Sequence, residues 1–129
     1  MEKLHVHHTK TTPSIVFDAD KGEFKITGRS IPADATIFYS AADKWADKFT
    51  AGFEGNSMEI DIMLDHLNTG SVRSILTILT RFIRMKSKGK TININWHYEQ
   101  EDEDIRDKGE EMALILDHPF HFISFKYPE

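Results

Sequence analysis

Two short segments hold the residues most able to do chemistry: Asp65-His-Leu-Asn-Thr-Gly-Ser-Val-Arg73 and Asn95-Trp-His-Tyr98. In the first, Asn68 or Thr69 is placed to cap the helix that follows, and Thr69 and Ser71 carry hydroxyls. The free N–H groups of a helix's first turn form a ready anion site. A phosphate on Thr69 or Ser71 would therefore lie at the positive end of the helix, with Arg73 close by to pair with it. The plainer meaning of the same residues is good capping and nothing more. Asp65, His66 and His97 are acid-base or metal candidates if the fold brings them to one rim. Spacing gives that no support, because there is no HExxH, no histidine pair at helical spacing, no phosphate-cradling glycine loop and no nucleophile elbow. No catalytic residue, metal or cofactor is assigned.

Hydrophobic periodicity supplies the elements that must hold these segments. Ser14-Ile-Val-Phe-Asp18 and Glu23-Phe-Lys-Ile-Thr-Gly28 predict a hairpin across a polar turn. Asp34 is a helix cap, and Phe38, Ala41, Ala42, Trp45 and Phe49 then recur at helical spacing from Thr36 to Phe49. Ser57 to Leu64 alternates as a third strand. A wide apolar stripe predicts a second helix from Gly70 to Lys88, stopped by Gly89. Thr91 to Tyr98 is a fourth strand, a third helix starts near Asp104, and Phe120 to Phe125 completes the set. A strand, a helix and a strand in this order imply parallel pairing with a right-handed crossover, whose crevice lies at the C-terminal strand ends. The predicted class is α/β, with about five strands, three main helices and a central strand-helix-strand unit. Residues 1–12, with His5, His7 and His8, read as a flexible arm, and 13–129 as one domain.

Charge narrows the partners. The 129 residues carry 21 acidic groups against 16 Lys plus Arg, a net of −5, and contain no cysteine. That balance lacks the phosphate-neutralising surplus on which nucleic-acid binders depend. Disulfides and thiol chemistry are excluded. The absence of an apolar leader or spanning run predicts a cytoplasmic chain with no membrane insertion. Between Gly70 and Tyr98 there are six Lys or Arg and no acid, whereas Glu99 to Asp104 holds five acids, which account for the whole net charge. A positive helix beside a negative loop suits a protein-docking surface.

The Thr12-Pro13 lead, the helix end Lys44-Trp-Ala-Asp-Lys-Phe49, the segment Leu67-Asn-Thr-Gly-Ser-Val-Arg-Ser74 and the strand end Asn95-Trp-His-Tyr98 resemble the SiaC family of bacterial regulatory phosphoproteins. The likeness covers roughly residues 12 to 125. It implies a fold similar to the STAS domains of anti-sigma-factor antagonists and a non-enzymatic switch. It also implies a partner Ser/Thr kinase, a PPM-type phosphatase and a downstream effector such as a GGDEF diguanylate cyclase, bound by the dephosphorylated form. The family's acceptor is the threonine of the Leu-Asn-Thr segment, which is Thr69 here, followed by Gly70 where the better-known version has Ser. Asn68, Gly70, Ser71, Arg73 and His97 would surround the phosphate, and Arg81 and Arg84 on the basic helix face would meet the partner. The main competing expectation is an anti-sigma-factor antagonist acting on a kinase-like anti-sigma factor; a small enzyme using His66 and His97 is the other.

Overall fold

A computed structural model describes residues 1–128. Six strands form one sheet in sequence order: β1 (Leu4–Val6), β2 (Ser14–Asp18), β3 (Glu23–Ser30), β4 (Ser57–Leu67), β5 (Thr91–Glu99) and β6 (His121–Phe125). β1, β2 and β3 run as an antiparallel meander, and β3 to β6 pair in parallel. Each parallel step is bridged by a helix: α1 (Ala35–Gly52), α2 (Thr69–Ile83) and α3 (Glu103–Leu116). Right-handed crossovers that all advance in one direction put their helices on the same side. Ile15, Phe17, Phe24, Ile26, the even-numbered residues of β4 from Met58 to Leu64, and Ile92, Ile94 and Trp96 are accordingly buried beneath them. Among the described residues the opposite face has no helix over it, and it carries Lys25, Glu59, Asp61, Asn95 and His97.

Aromatic side chains fill the space under α1. Trp45 and Phe49 stack at 5.0 Å between centroids, and Phe17, Phe24 and Phe82 meet them edge-on or tilted. Such pairs add to the burial of large apolar surfaces. On the other side of α2, the Trp96 indole lies against the backbone of α3 at Gly109 and donates from Nε1 to the Ile105 carbonyl at 3.0 Å.

The structure differs from the sequence reading at several ends. Residues 1–12, read there as a loose arm, contain β1, which pairs Leu4 with Phe17 and Val6 with Ile15. Trp45 Nε1 donates to the Glu2 carbonyl at 2.8 Å and fixes the start of the chain. Without β1 the outer edge of β2 would be unpaired. β4 continues to Leu67, which makes Asp65 and His66 strand residues. The second helix is α-helical only to Ile83; Arg84–Lys88 tighten into a 3-10 turn that Gly89 closes at φ +81°. Among the described residues no helix is long and apolar enough to cross a membrane.

Candidate functional site

At the C-terminal end of β4 the chain turns directly into α2, and Asn68 makes the turn. Its backbone is extended, its N–H donates to the Ser30 carbonyl at 3.0 Å, and its Oδ1 accepts from the Ser71 N–H at 2.9 Å. Its Nδ2 also donates to the Pro32 carbonyl at 3.0 Å, so one side chain ties the start of α2 to the approach to α1. Asn68 is thus a cap with both ends of its amide used.

The two hydroxyls behind it have different fates. Ser71 is fully buried. Its Oγ donates to the Ser30 carbonyl at 3.1 Å and accepts from Ser30 Oγ at 2.7 Å. Ser30 Oγ in turn lies 2.6 Å from the Tyr39 hydroxyl, which donates to it because the Ser30 proton is spent on Ser71. Burial pushes the Tyr39 hydroxyl up to about 12, against the opposing pull of its serine partners. Thr69, the first residue of α2, is exposed. Of the two hydroxyls read as phosphate acceptors, the fold leaves Thr69 open to another protein and seals Ser71 into a structural network.

Beside Thr69 is a residue that the sequence reading missed. Lys108 of α3 donates from Nζ to the Leu67 carbonyl at 2.9 Å. It lines a groove of about 360 Å³ with Thr69, Asn68, Val72 and Glu111. Nothing in the local pattern of α3 distinguishes it, because Lys108 sits in the half of the helix where nearly every residue is charged. Gly70 packs close to α1: a Cβ there would come 3.2 Å from that of Ala35. The first turns of α1 and α2 therefore approach each other at this glycine.

The remaining residues separate. Arg73 is exposed and lines a groove of about 240 Å³ between α1 and α2, with Lys44, Ser40 and Thr77. Arg81, expected on the partner-facing surface, is turned inward to α1. Its Nε and Nη2 hold the two Asp43 oxygens at 2.7 and 3.2 Å, and Nη1 reaches Asp47 at 2.9 Å. The hydrogen bond with Asp43 raises its already high pKa further. Arg84 is exposed at the far end of the same helix.

His97 is not part of the Thr69 surroundings. Strand alternation sends it to the helix-free face, where Nε2 meets Asp61 Oδ1 at 2.8 Å beside Asn95 at 3.2 Å. His66 instead faces its neighbour Asp65 at 3.3 Å in solvent. The rim that would join His66, Asp65 and His97 is thus divided between two sets of partners. Among the described residues no three His, Asp or Glu side chains are placed to hold a metal ion.

Comparison with known proteins gives a consistent result. The family model described as "SiaC family regulatory phosphoprotein" matches residues 6–125. A protein of Pseudomonas aeruginosa strain UCBPP-PA14 is 28% identical over 120 residues, covering 93% of this chain and 94% of its own. Among solved structures, apo-SiaC from Pseudomonas aeruginosa is similar with a TM-score of 0.84 and 27% identity, over 95% of this chain and 99% of that one. A second is SiaC bound, as activator, to the diguanylate cyclase SiaD of the same organism, with the same TM-score, identity and coverage.

Proposed function

This chain belongs to the SiaC family of regulatory phosphoproteins, and from that premise we propose that it is a non-enzymatic switch whose phosphoryl acceptor is Thr69. A partner Ser/Thr kinase adds the group and a PPM-type phosphatase removes it. The unmodified form binds an effector, for which a diguanylate cyclase is the best candidate because a similar protein is the activator of one. The observation that carries this reading is the exposure of Thr69 at the first turn of α2 while its neighbour Ser71 is buried.

The chemistry of such a switch follows from charge and position. A phosphothreonine carries about −1.5 to −2 charge and three strong acceptor oxygens at neutral pH. At the start of α2 it meets the positive end of the helix dipole, which favours it. Lys108 of α3 lines the same groove as Thr69 and supplies a cation there. A surface that presented a small neutral hydroxyl becomes anionic and bulky. An effector fitted to the unmodified surface then loses contact and must desolvate a dianion to dock.

Incubation with the partner kinase and ATP, followed by mass-spectrometric site mapping, tests the acceptor. One phosphoryl group on Thr69, and none on Thr69→Ala, is the expected result. Equal labelling of Thr69→Ala contradicts it.

A further inference from the structure

The groove between α1 and α2 has no role in the switch as described so far, although Arg73 within it is only four residues from Thr69. Its volume is about 240 Å³, and Thr36, Ser40, Lys44, Arg73, Ser74 and Thr77 line it. The fold holds it against the acceptor turn. Tyr39, a buried residue of α1, also lines the groove, and its hydroxyl is joined through Ser30 to Ser71, two residues beyond Thr69. The close packing of Gly70 on Ala35 keeps the first turns of the two helices together.

Charge in the groove is unbalanced. Its one carboxylate, Asp43, already has both oxygens on Arg81, at 2.7 and 3.2 Å. Arg81 also reaches Asp47, which lines a separate groove with Arg84 and Lys88. Among the described residues Lys44 and Arg73 form no ion pair. Ser40 and Thr77 each spend their proton on a carbonyl of their own helix, that of Ile37 at 2.9 Å and that of Arg73 at 3.1 Å. The two cations are therefore the strongest free donors in the groove, and they select an anion. Size narrows the choice. Small-molecule sites have volumes of roughly 300–1,000 Å³, and this groove is smaller, which suits one inserted side chain. The anionic side chains of a protein partner are aspartate and glutamate.

We infer that this groove seats a carboxylate side chain of the effector, held by Lys44 and Arg73, an inference that rests on the Thr69 switch and gives the effector a second point of attachment. Residues four apart on a helix share a face, so Thr69 and Arg73 are neighbours. A phosphate on Thr69 puts a dianion about one helical turn from the seated carboxylate and repels it. The acceptor thereby governs a groove that it does not line.

Isothermal titration of a diguanylate cyclase with the unmodified and Thr69-phosphorylated forms of the wild type, Arg73→Gln and Lys44→Gln tests this. Lys25→Gln, on the helix-free face of the sheet, controls for the loss of one positive charge. In the unmodified chain Arg73→Gln and Lys44→Gln are each expected to weaken binding about fivefold to tenfold, by a factor that shrinks at high salt. Lys25→Gln leaves binding unchanged, and all three exposed substitutions leave thermal unfolding unchanged. In the phosphorylated chain the carboxylate is already displaced, so Arg73→Gln and Lys44→Gln cost less than about twofold more. Costs that are equal in the two forms, or an equal loss in Lys25→Gln, overturn the inference. If phosphorylation weakens wild-type binding while both groove variants bind as wild type, the groove is wrong and the switch stands. Binding indifferent to phosphorylation contradicts the switch itself, and the inference falls with it. If the groove variants lower self-association in sedimentation velocity and leave cyclase binding intact, the occupant is a second copy and the effector carboxylate is wrong.

Discussion

Lys108 donates its ammonium to the Leu67 carbonyl at 2.9 Å, which places a cation from α3 two residues before the exposed Thr69 on the neighbouring helix. Lys108→Met removes a charged hydrogen bond from the unmodified protein and is expected to cost about 1 kcal/mol, since the group is partly solvated. In the phosphorylated protein the same cation stabilises the dianion. The second ionisation of phosphothreonine then falls below its usual value of about 6. A phosphorus NMR titration is expected to show that depression in the wild-type chain and its loss in Lys108→Met.

The buried chain from Tyr39 through Ser30 to Ser71 predicts an alkaline limit. In the folded protein the Tyr39 hydroxyl is held neutral up to about 12, whereas in the unfolded chain it ionises near 10. Between those values the unfolded state binds fewer protons, so stability falls as pH rises through the window and is whole below it. The full loss amounts to about 2–3 kcal/mol. Urea denaturation from neutral pH to pH 12 is expected to show this slope in the wild type and a shallower one in Tyr39→Phe.

Trp96 reaches the Ile105 carbonyl only because residue 109 has no side chain. A Cβ on Gly109 would come within 2.5 to 2.7 Å of three indole atoms. Gly109→Ala therefore overpacks the contact between α3 and the sheet and is expected to cost about 1–3 kcal/mol. A lower urea midpoint with an altered tryptophan emission spectrum is the expected signature. An unchanged midpoint would mean that the helix shifts without cost.

Arg81 is bound to α1 rather than offered to a partner. A double-mutant cycle between Arg81→Ala and Asp43→Ala is expected to give a coupling of up to about 1 kcal/mol, because both side chains are about one-third exposed. Effector affinity measured by calorimetry is expected to change less in Arg81→Ala than in Arg73→Ala. Arg73 lines the open groove between α1 and α2.

Local pattern revealed most of the scaffold and the local geometry around Thr69, but not its long-range neighbours. The alternation in Ser14–Asp18 and Glu23–Gly28, the stripe through Leu79 and Phe82, and the Asn68 cap depend on neighbours in sequence, and the structure has them close to where the pattern places them. Residues whose roles depend on another element were not legible. Lys108 matters because α3 passes Thr69, and Arg81 turns inward because Asp43 waits on α1. His97 has the parity of the solvent face, but its separation from Thr69 follows only once all three helices are known to share the other face. β1 escaped notice because three residues between polar neighbours have too little period to register. Its role is set by the vacant edge of β2.

The central claim is that one phosphoryl group on Thr69 decides whether the effector binds. Isothermal titration of a diguanylate cyclase with the unmodified chain, the Thr69-phosphorylated chain and Thr69→Ala measures this most directly. The account predicts that the unmodified chain and Thr69→Ala bind alike and that phosphorylation weakens binding by about tenfold or more, the equivalent of about 1.4 kcal/mol. Equal affinity of the phosphorylated and unmodified chains would contradict it.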